Sequence, residues 1–396
     1  MKLIKTPFLL SKLFLVMLLL SQTVYAARLT NLYTLNSLVS DTSDEQRAAV
    51  ANVLLRELLV RVSGTERVLE KMPPTDFITA PEVFAKHPNF KLWTDLTSAQ
   101  RLINQYSYNA SSALLMTETG EKIPAQQLEL TFDEGGVKQL LQQLQAPIWD
   151  INRPNVLFWV ALEGRGGRTL ITPASNQPLS NVLISQSSKR GIPYLLPDFT
   201  LNPVADSLFS DIWGGFTQQI TAASAPYQPD AVLVGKIRAS GNQWRVEWQL
   251  MVGSTNIKHT VSVATLRDAL QEGVNFAAEK LSSRYASNAS QSTGTYKIMV
   301  GNVAKVQDYA AIMNNFNRLS LTSNVRVVQS TNQQVLFEMT LRGGLNQLRA
   351  NLTLDSRLKE TSFLGLQQAA SHPTTALRKN NATVEQADAY FYWQSN

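Results

Sequence analysis

Ile148-Trp149-Asp150-Ile151-Asn152-Arg153-Pro154-Asn155-Val156-Leu157-Phe158-Trp159-Val160-Ala161-Leu162 is the stretch on which the fold turns. Pro147 and Pro154 bracket a short non-helical crossing, because proline lacks the amide donor and biases the residue before it toward extended backbone. Val156–Leu162 is then an unbroken apolar run rich in β-formers, which fits a strand buried on both faces in the middle of a parallel sheet. One folded unit closes at Pro147 and another opens at Ile148. The crossing contains no glycine or serine, so the two units must touch. Trp149 is the natural filler of that contact, with Arg153 beside it.

Upstream, Leu29–Val39 alternates as a strand. Ser43 has the character of an N-cap, with Asp44 and Glu45 in the first turn and Gln46 three residues on. The helix it opens runs to about Val62, with Val50, Val53, Leu54 and Leu58 on one face, and Gly64 ends it. Tyr106–Glu118 and Gln127–Phe132 read as a hairpin around Gly120. Asp133 caps a second helix whose Val137, Leu140, Leu141 and Leu144 share a face.

Downstream, Gly164-Arg165-Gly166-Gly167 turns the chain into a returning strand, Arg168–Thr172. The helix Leu179–Arg190, the strand Ile192–Leu196, the helix Asp211–Ala223 and the strand Ala231–Ile237 follow. This alternation predicts right-handed parallel crossovers, extended by the meander Gln243–Met251 and Ile257–Ala264. A long helix covers Leu266–Tyr285. Ser287–Thr295 is polar and reads as a loose linker. After it, the β-α-β-β-α order returns from Tyr296 to Leu354, and Ala387–Trp393 comes back as a last strand. The expected fold is α/β and α+β in three small domains. A central, mostly parallel sheet over 148–286 is flanked by β-α-β-β-α units over 27–147 and 296–396, the last preceded by the linker 287–295.

The first 26 residues read as an export signal. Lys2, Lys5 and Lys12 precede the apolar run Leu13–Leu20, and Val24-Tyr25-Ala26 suits a signal peptidase, which places the expected location in the periplasm. The run is shorter than the roughly 20 apolar residues a spanning helix needs, so no stable membrane insertion is expected after cleavage. Three of the 36 basic residues fall in that segment, leaving 33 against 30 acids; so slight an excess gives no ground for nucleic acid as a partner. The chain has no cysteine, so neither disulfides nor thiol chemistry enter.

The chemistry-bearing motifs are short and isolated. His87, His259 and His372 are scattered without metal-ligand spacing. There is no Gly-x-Ser-x-Gly elbow, Gly235-Lys236 sits on a strand, and Gly164–Gly167 precedes a strand where a phosphate cradle needs a helix. Ser356-Arg357-Leu358-Lys359 has the Ser-x-x-Lys spacing without an accompanying Lys-Thr-Gly. Trp149, Trp159, Trp213, Trp244, Trp248 and Trp393 could line a groove, but cores and domain contacts are their ordinary place. Arg61 and Arg153 near element ends suggest a salt bridge between domains. No residue is assigned as catalytic, cofactor-binding or metal-binding.

Several of these features together resemble a secreted proteobacterial family catalogued only as a domain of unknown function. They are Leu59-Val60-Arg61-Val62-Ser63-Gly64, Phe132-Asp133, Trp149 through Arg153-Pro154, Arg190-Gly191-Ile192-Pro193, Asp211-Ile212-Trp213, and Tyr227 through Gly235. The chain departs from that pattern at Phe199-Thr200-Leu201-Asn202, where two acids would be expected, which speaks against those acids as catalysts. The resemblance implies a compartment and no reaction. The central unit is also similar to the small α/β domains of envelope assembly factors, such as flagellar outer-ring proteins and lipoprotein partners of cell-wall synthases. The element order of the last unit is similar to that of sporulation-related peptidoglycan-binding domains. The expected function is a non-enzymatic partner-binding or scaffold protein of the cell envelope. The alternatives are a peptidoglycan binder and a hydrolase built from carboxylates far apart in sequence.

Overall fold

The structure, a computed structural model, describes residues 31–394 except 75–76, 78–80, 97–98, 118, 198–204, 289–291, 332, 356 and 371–386. The expected export signal, the departure at 199–202, Ser356 and His372 lie outside the described residues.

β1 (Thr34–Val39) leads into α1 (Asp44–Ser63). Ser43 caps α1 by accepting from the Gln46 N–H, and Gly64 closes it in the left-handed region at φ 74°. The buried stripe is Ala51, Leu54, Leu55, Leu58 and Leu59, while Val53, expected inside, is 66% exposed. The last turn of α1 is buried all round, because other elements enclose that end. After the short α2 (Phe90–Leu96), β2 (Ile103–Met116) and β3 (Lys122–Phe132) form a hairpin that turns at Gly120. The sheet order is β1-β3-β2, all antiparallel. α3 (Glu134–Gln143) is capped by Asp133, whose carboxylate accepts from the Gly136 N–H at 2.6 Å, and it buries Val137, Leu140 and Leu141.

β4 (Pro147–Ile148) leads to β5 (Val156–Gly164), seven of whose residues are buried from Val156 on, as the apolar run predicts. β6 (Gly167–Leu170) returns by a tight hairpin. Then come α4 (Gln177–Arg190), the two-residue β7 (Tyr194–Leu195), α5 (Ala205–Gly214) and α6 (Thr217–Ser224). Gly215, at φ 74°, splits what the periodicity predicts as one helix. β8 (Ala231–Ser240), β9 (Gln243–Val252) and β10 (Thr255–Val263) form a meander, and α7 (Leu266–Tyr285) packs against it. The sheet order is β10-β9-β8-β5-β6, with β7 also on β5. Only β5–β8 and β5–β7 run parallel, so the sheet is mostly antiparallel and the expected mostly parallel sheet is corrected. Two causes are local. Glycine turns at residues 167, 241 and 253 supply cheap antiparallel neighbours, and Pro193 and Pro197 stop β7 from extending its ladder.

β11 (Ser287–Asn288) pairs antiparallel with β4. β12 (Thr293–Gly301), α8 (Val306–Arg318), β13 (Thr322–Thr331), β14 (Gln334–Arg342) and α9 (Leu345–Leu352) repeat the order of the first unit. The strand sequence β12-β14-β13 is the same first-third-second arrangement as β1-β3-β2. β15 (Leu358–Thr361) follows α9 and takes the far edge. α10 (Phe363–Ala370) lies on the opposite face, and β16 (Ala389–Trp393) slots in parallel to β12.

The expected layout of three domains with a loose linker at 287–295 is not supported. Ser287 and Asn288 pair with Ile148 and Pro147, and Thr293 already belongs to β12. Around this two-stranded piece Asn351 Nδ2 donates to the Tyr285 carbonyl at 2.8 Å, and Gln347 Nε2 to that of Ala286 at 3.0 Å. Within the segment the Ser287 hydroxyl donates to the Ile148 carbonyl at 3.4 Å and lies 2.9 Å from the Ser320 hydroxyl.

Candidate functional site

The three larger sheets meet at the crossing 148–154, which opens on the two-stranded β4–β11 piece. α1 and α4 both end there, and the last carbonyls of a helix have no partner within it and carry its negative dipole end. Arg153 stands between the two ends. Its Nη2 donates to the carbonyls of Arg61 in α1 at 2.8 Å and of Trp149 at 2.6 Å. Its Nη1 donates to those of Arg190 and Gly191 at the end of α4, at 3.2 and 2.8 Å, and its Nε to that of Asp150 at 2.9 Å. All five guanidinium donors are used on backbone oxygens. The guanidinium carbon lies 4.2 Å above the Trp149 ring, a cation–π contact. Burial pushes Arg153 down to about 9, helped by the neighbouring positive charges of Arg61 and Arg190 and opposed by Asp150 and Tyr33; it remains protonated at neutral pH.

Two glycines let the elements come this close. Gly64, itself the C-cap of α1, would carry a Cβ 2.7 Å from the Trp149 ring and 2.3 Å from the Ser282 Cβ. Gly191, at φ 65°, would put one 2.6 Å from the Arg153 Nη1. Trp149 is 1% exposed, in the contact the sequence assigned to it.

The expected salt bridge between Arg61 or Arg153 and the other unit takes a different form. Arg153 grips carbonyls. Arg61 pairs with Glu57 of its own helix at 3.4 Å and donates to the carbonyls of Lys189 and Thr34. The ion pair across the contact belongs to Arg190, which reaches Glu66 of the first unit at 2.9 Å and, within its own unit, Glu279 at 3.2 Å. An arginine in the last turn of a helix is ordinary, so although Arg190-Gly191-Ile192-Pro193 stands among the motifs of the resemblance, nothing in the sequence assigned Arg190 these partners. Asp150 ties the remaining unit: its carboxylate lies 3.3 Å from Lys138 and accepts from the Ser320 N–H. All five Arg153 donors are occupied, while the Trp149 indole N–H and the Arg190 Nε are buried without a partner, so the cluster ties the elements together chiefly through Arg153. Beside it is a polar cleft of about 420 Å³ lined by Thr65, Lys71, Gln145, Glu279, Ser282 and Gln347, from helices and loops along the whole chain.

A different kind of surface projects from the first sheet. β1 pairs with β3 only over residues 126–131, so the end of the β2–β3 hairpin extends past it as a two-stranded arm. On one face of the arm Leu114 is 58% and Met116 68% exposed, with Pro124 directly opposite Leu114. Alternating exposed apolar side chains on an unflanked arm form a ready contact for another protein.

The remaining candidates do not converge. Trp149 and Trp248 are fully buried in the central core, Trp159 and Trp393 in two others, and Trp213 and Trp244 are partly buried. Trp159 and Trp393 donate to Ser224 and Asp308. His87 stacks on Trp93, and His259 sits 3.0 Å from Glu272 against Phe276. Among the described residues no group of three or more His, Asp or Glu is placed to hold a metal ion, and no helix is long and apolar enough to cross a membrane.

A domain of unknown function, DUF8605, matches residues 84–150. The match takes in the hairpin arm, α3 and Trp149, and ends before Arg153. No curated protein and no solved structure matches the chain.

Proposed function

We propose that the protein is exported to the periplasm and acts there without catalysis, as a scaffold that binds a protein partner of the cell envelope. The observation that carries this reading is the β2–β3 arm, which presents Leu114, Pro124 and Met116 on a face that no neighbouring element covers. Burying a leucine and a methionine against a partner is worth about 1.5–3 kcal/mol each. The locked junction behind the arm suits such a role, since a rigid base lowers the ordering cost of docking.

The test is a photo-crosslinking residue at position 114 of the full-length protein in living cells. A discrete crosslinked protein is expected, and Leu114→Asp with Met116→Asp should weaken its capture by about a hundredfold or more while leaving the melting temperature within error. Capture unaffected by the double substitution would defeat the reading.

A second reading, peptidoglycan binding, rests on the β-α-β-β-α order of the last sheet and on Tyr390 and Tyr392, which share one face of β16. Co-sedimentation with sacculi that survives the arm substitutions and is lost on Tyr392→Ala would favour it.

A further inference from the structure

We infer that the open half of the central sheet, around Lys236, Arg238 and Arg245, is a binding site for a phosphate monoester. This sheet has two unlike faces. One is packed along its length by α4 and α7. On the other, α5 and α6 cover Trp159, Val232 and Val234 and stop short of the far ends of β8 and β9. Beyond that cover, Lys236 stands opposite Glu247, and Arg238 stands directly opposite Arg245.

Like charges facing each other across antiparallel strands destabilise a sheet. Of the nearby carboxylates, Glu247 lies 4.0 Å from Arg245, and Glu163, in register with Arg238 on β5, is held by Arg168 at 2.8 Å, so that pair adds no net charge. Among the described residues Arg238 makes no ion pair. Three cations against one acid leave an excess of two positive charges, which matches the charge of about −1.5 to −2 on a phosphate monoester at neutral pH.

The geometry is that of a cleft and not of a flat patch. Lys236, Arg238, Arg245, Glu247 and Trp213 enclose about 190 Å³. Lys236 is half-buried, and its Nζ donates to the Trp213 carbonyl at 3.0 Å, which fixes the ammonium against the wall with two donors still available. Trp213 is held in turn by stacking on Phe209 at 5.4 Å. Gly215 approaches the same ammonium, where a Cβ would come within 3.6 Å of it. One residue further along this face of β9, past Glu247, the Gln249 amide nitrogen is buried without a partner. Two guanidinium forks beside a fixed ammonium suit three phosphate oxygens, since arginine engages phosphate in bidentate fashion. The site is independent of the arm and of the partner proposed for it.

The experiment titrates the full-length protein by calorimetry at constant ionic strength. The probes are glucose 6-phosphate, with glucose and glucuronate as comparators, and vesicles carrying phosphatidate. Saturable binding of glucose 6-phosphate assigns the site to soluble phosphomonoesters, and binding of the vesicles alone assigns it to a lipid headgroup. In either case Arg238→Gln and Arg245→Gln should each weaken binding by at least about tenfold, the loss of one charge-assisted contact. Both variants should melt at the wild-type temperature or above it, because the facing charges are relieved. Lys258→Gln, on the same face but away from the cleft, should change binding by less than about twofold. The proposal fails if neither probe binds saturably, if glucuronate binds as well as glucose 6-phosphate, or if the arginine variants bind as the wild type does.

Discussion

Arg153 satisfies two helix ends at once, and its energetic weight follows from what its removal would strand. Five carbonyls converge on its guanidinium, four of them in buried bonds and that of Asp150 in a part-buried one. Arg153→Met should cost about 3–5 kcal/mol, the range for breaking a buried charged contact. Arg153→Lys should recover only part of that loss, because one ammonium has three donors and no fork to span both helices. Trp149→Ala should cost about 3–5 kcal/mol, as large buried aromatics do. Urea unfolding of the full chain measures all three. An Arg153→Met variant within about 1 kcal/mol of wild type would mean that the two helix ends are held by something else.

At the scale of elements, local signals were good guides wherever the physics is local. Asp133 accepts from the Gly136 N–H at 2.6 Å and does nothing else that would need a negative charge. Asp133→Asn should therefore leave stability almost unchanged, whereas Asp133→Ala should cost about 1 kcal/mol in the same unfolding assay. Equal losses from both would point to a role for the charge itself. The same logic failed for strand direction. Val156–Leu162 was legible as a doubly buried strand, but double burial does not require parallel neighbours. β5 is covered on both faces by helices while β6 lies antiparallel along one edge and β7 contributes only two residues.

For the whole molecule, the consequence is a junction without a hinge at Ser287–Asn288. Hydrogen exchange on the native full-length protein should find peptides over residues 283–288 protected, like those of β5 and unlike the arm tip around Gly120. A linker of the kind that composition suggests would exchange within seconds. Fast exchange at 283–288 would return the last sheet to the status of an independent body. Asp150, Ser287, Gln347 and Asn351, which tie it down together with the apolar packing of Ala350 and Leu354, are polar, which is why they resemble linker or surface residues when read alone.

The sequence by itself determined where the capped helices begin and end, where hairpins turn, and that Val156–Leu162 is buried. Ser43, Gly64, Asp133, Gly120 and Gly191 act on atoms within a few residues of themselves, so their identity carries the instruction. It also placed Trp149 in the contact between units, because a short crossing without glycine leaves no room for anything else. Only the tertiary structure decided what Arg153 holds, that Arg190 carries the ion pair to Glu66, that Ser287 pairs with Ile148, and that Arg238 faces Arg245. Arg153 binds backbone carbonyls, which every residue possesses, so no side chain could announce them. Arg238 and Arg245 are apposed only because a glycine turn sets the register of β8 against β9, and register is a property of two strands that neither one encodes alone.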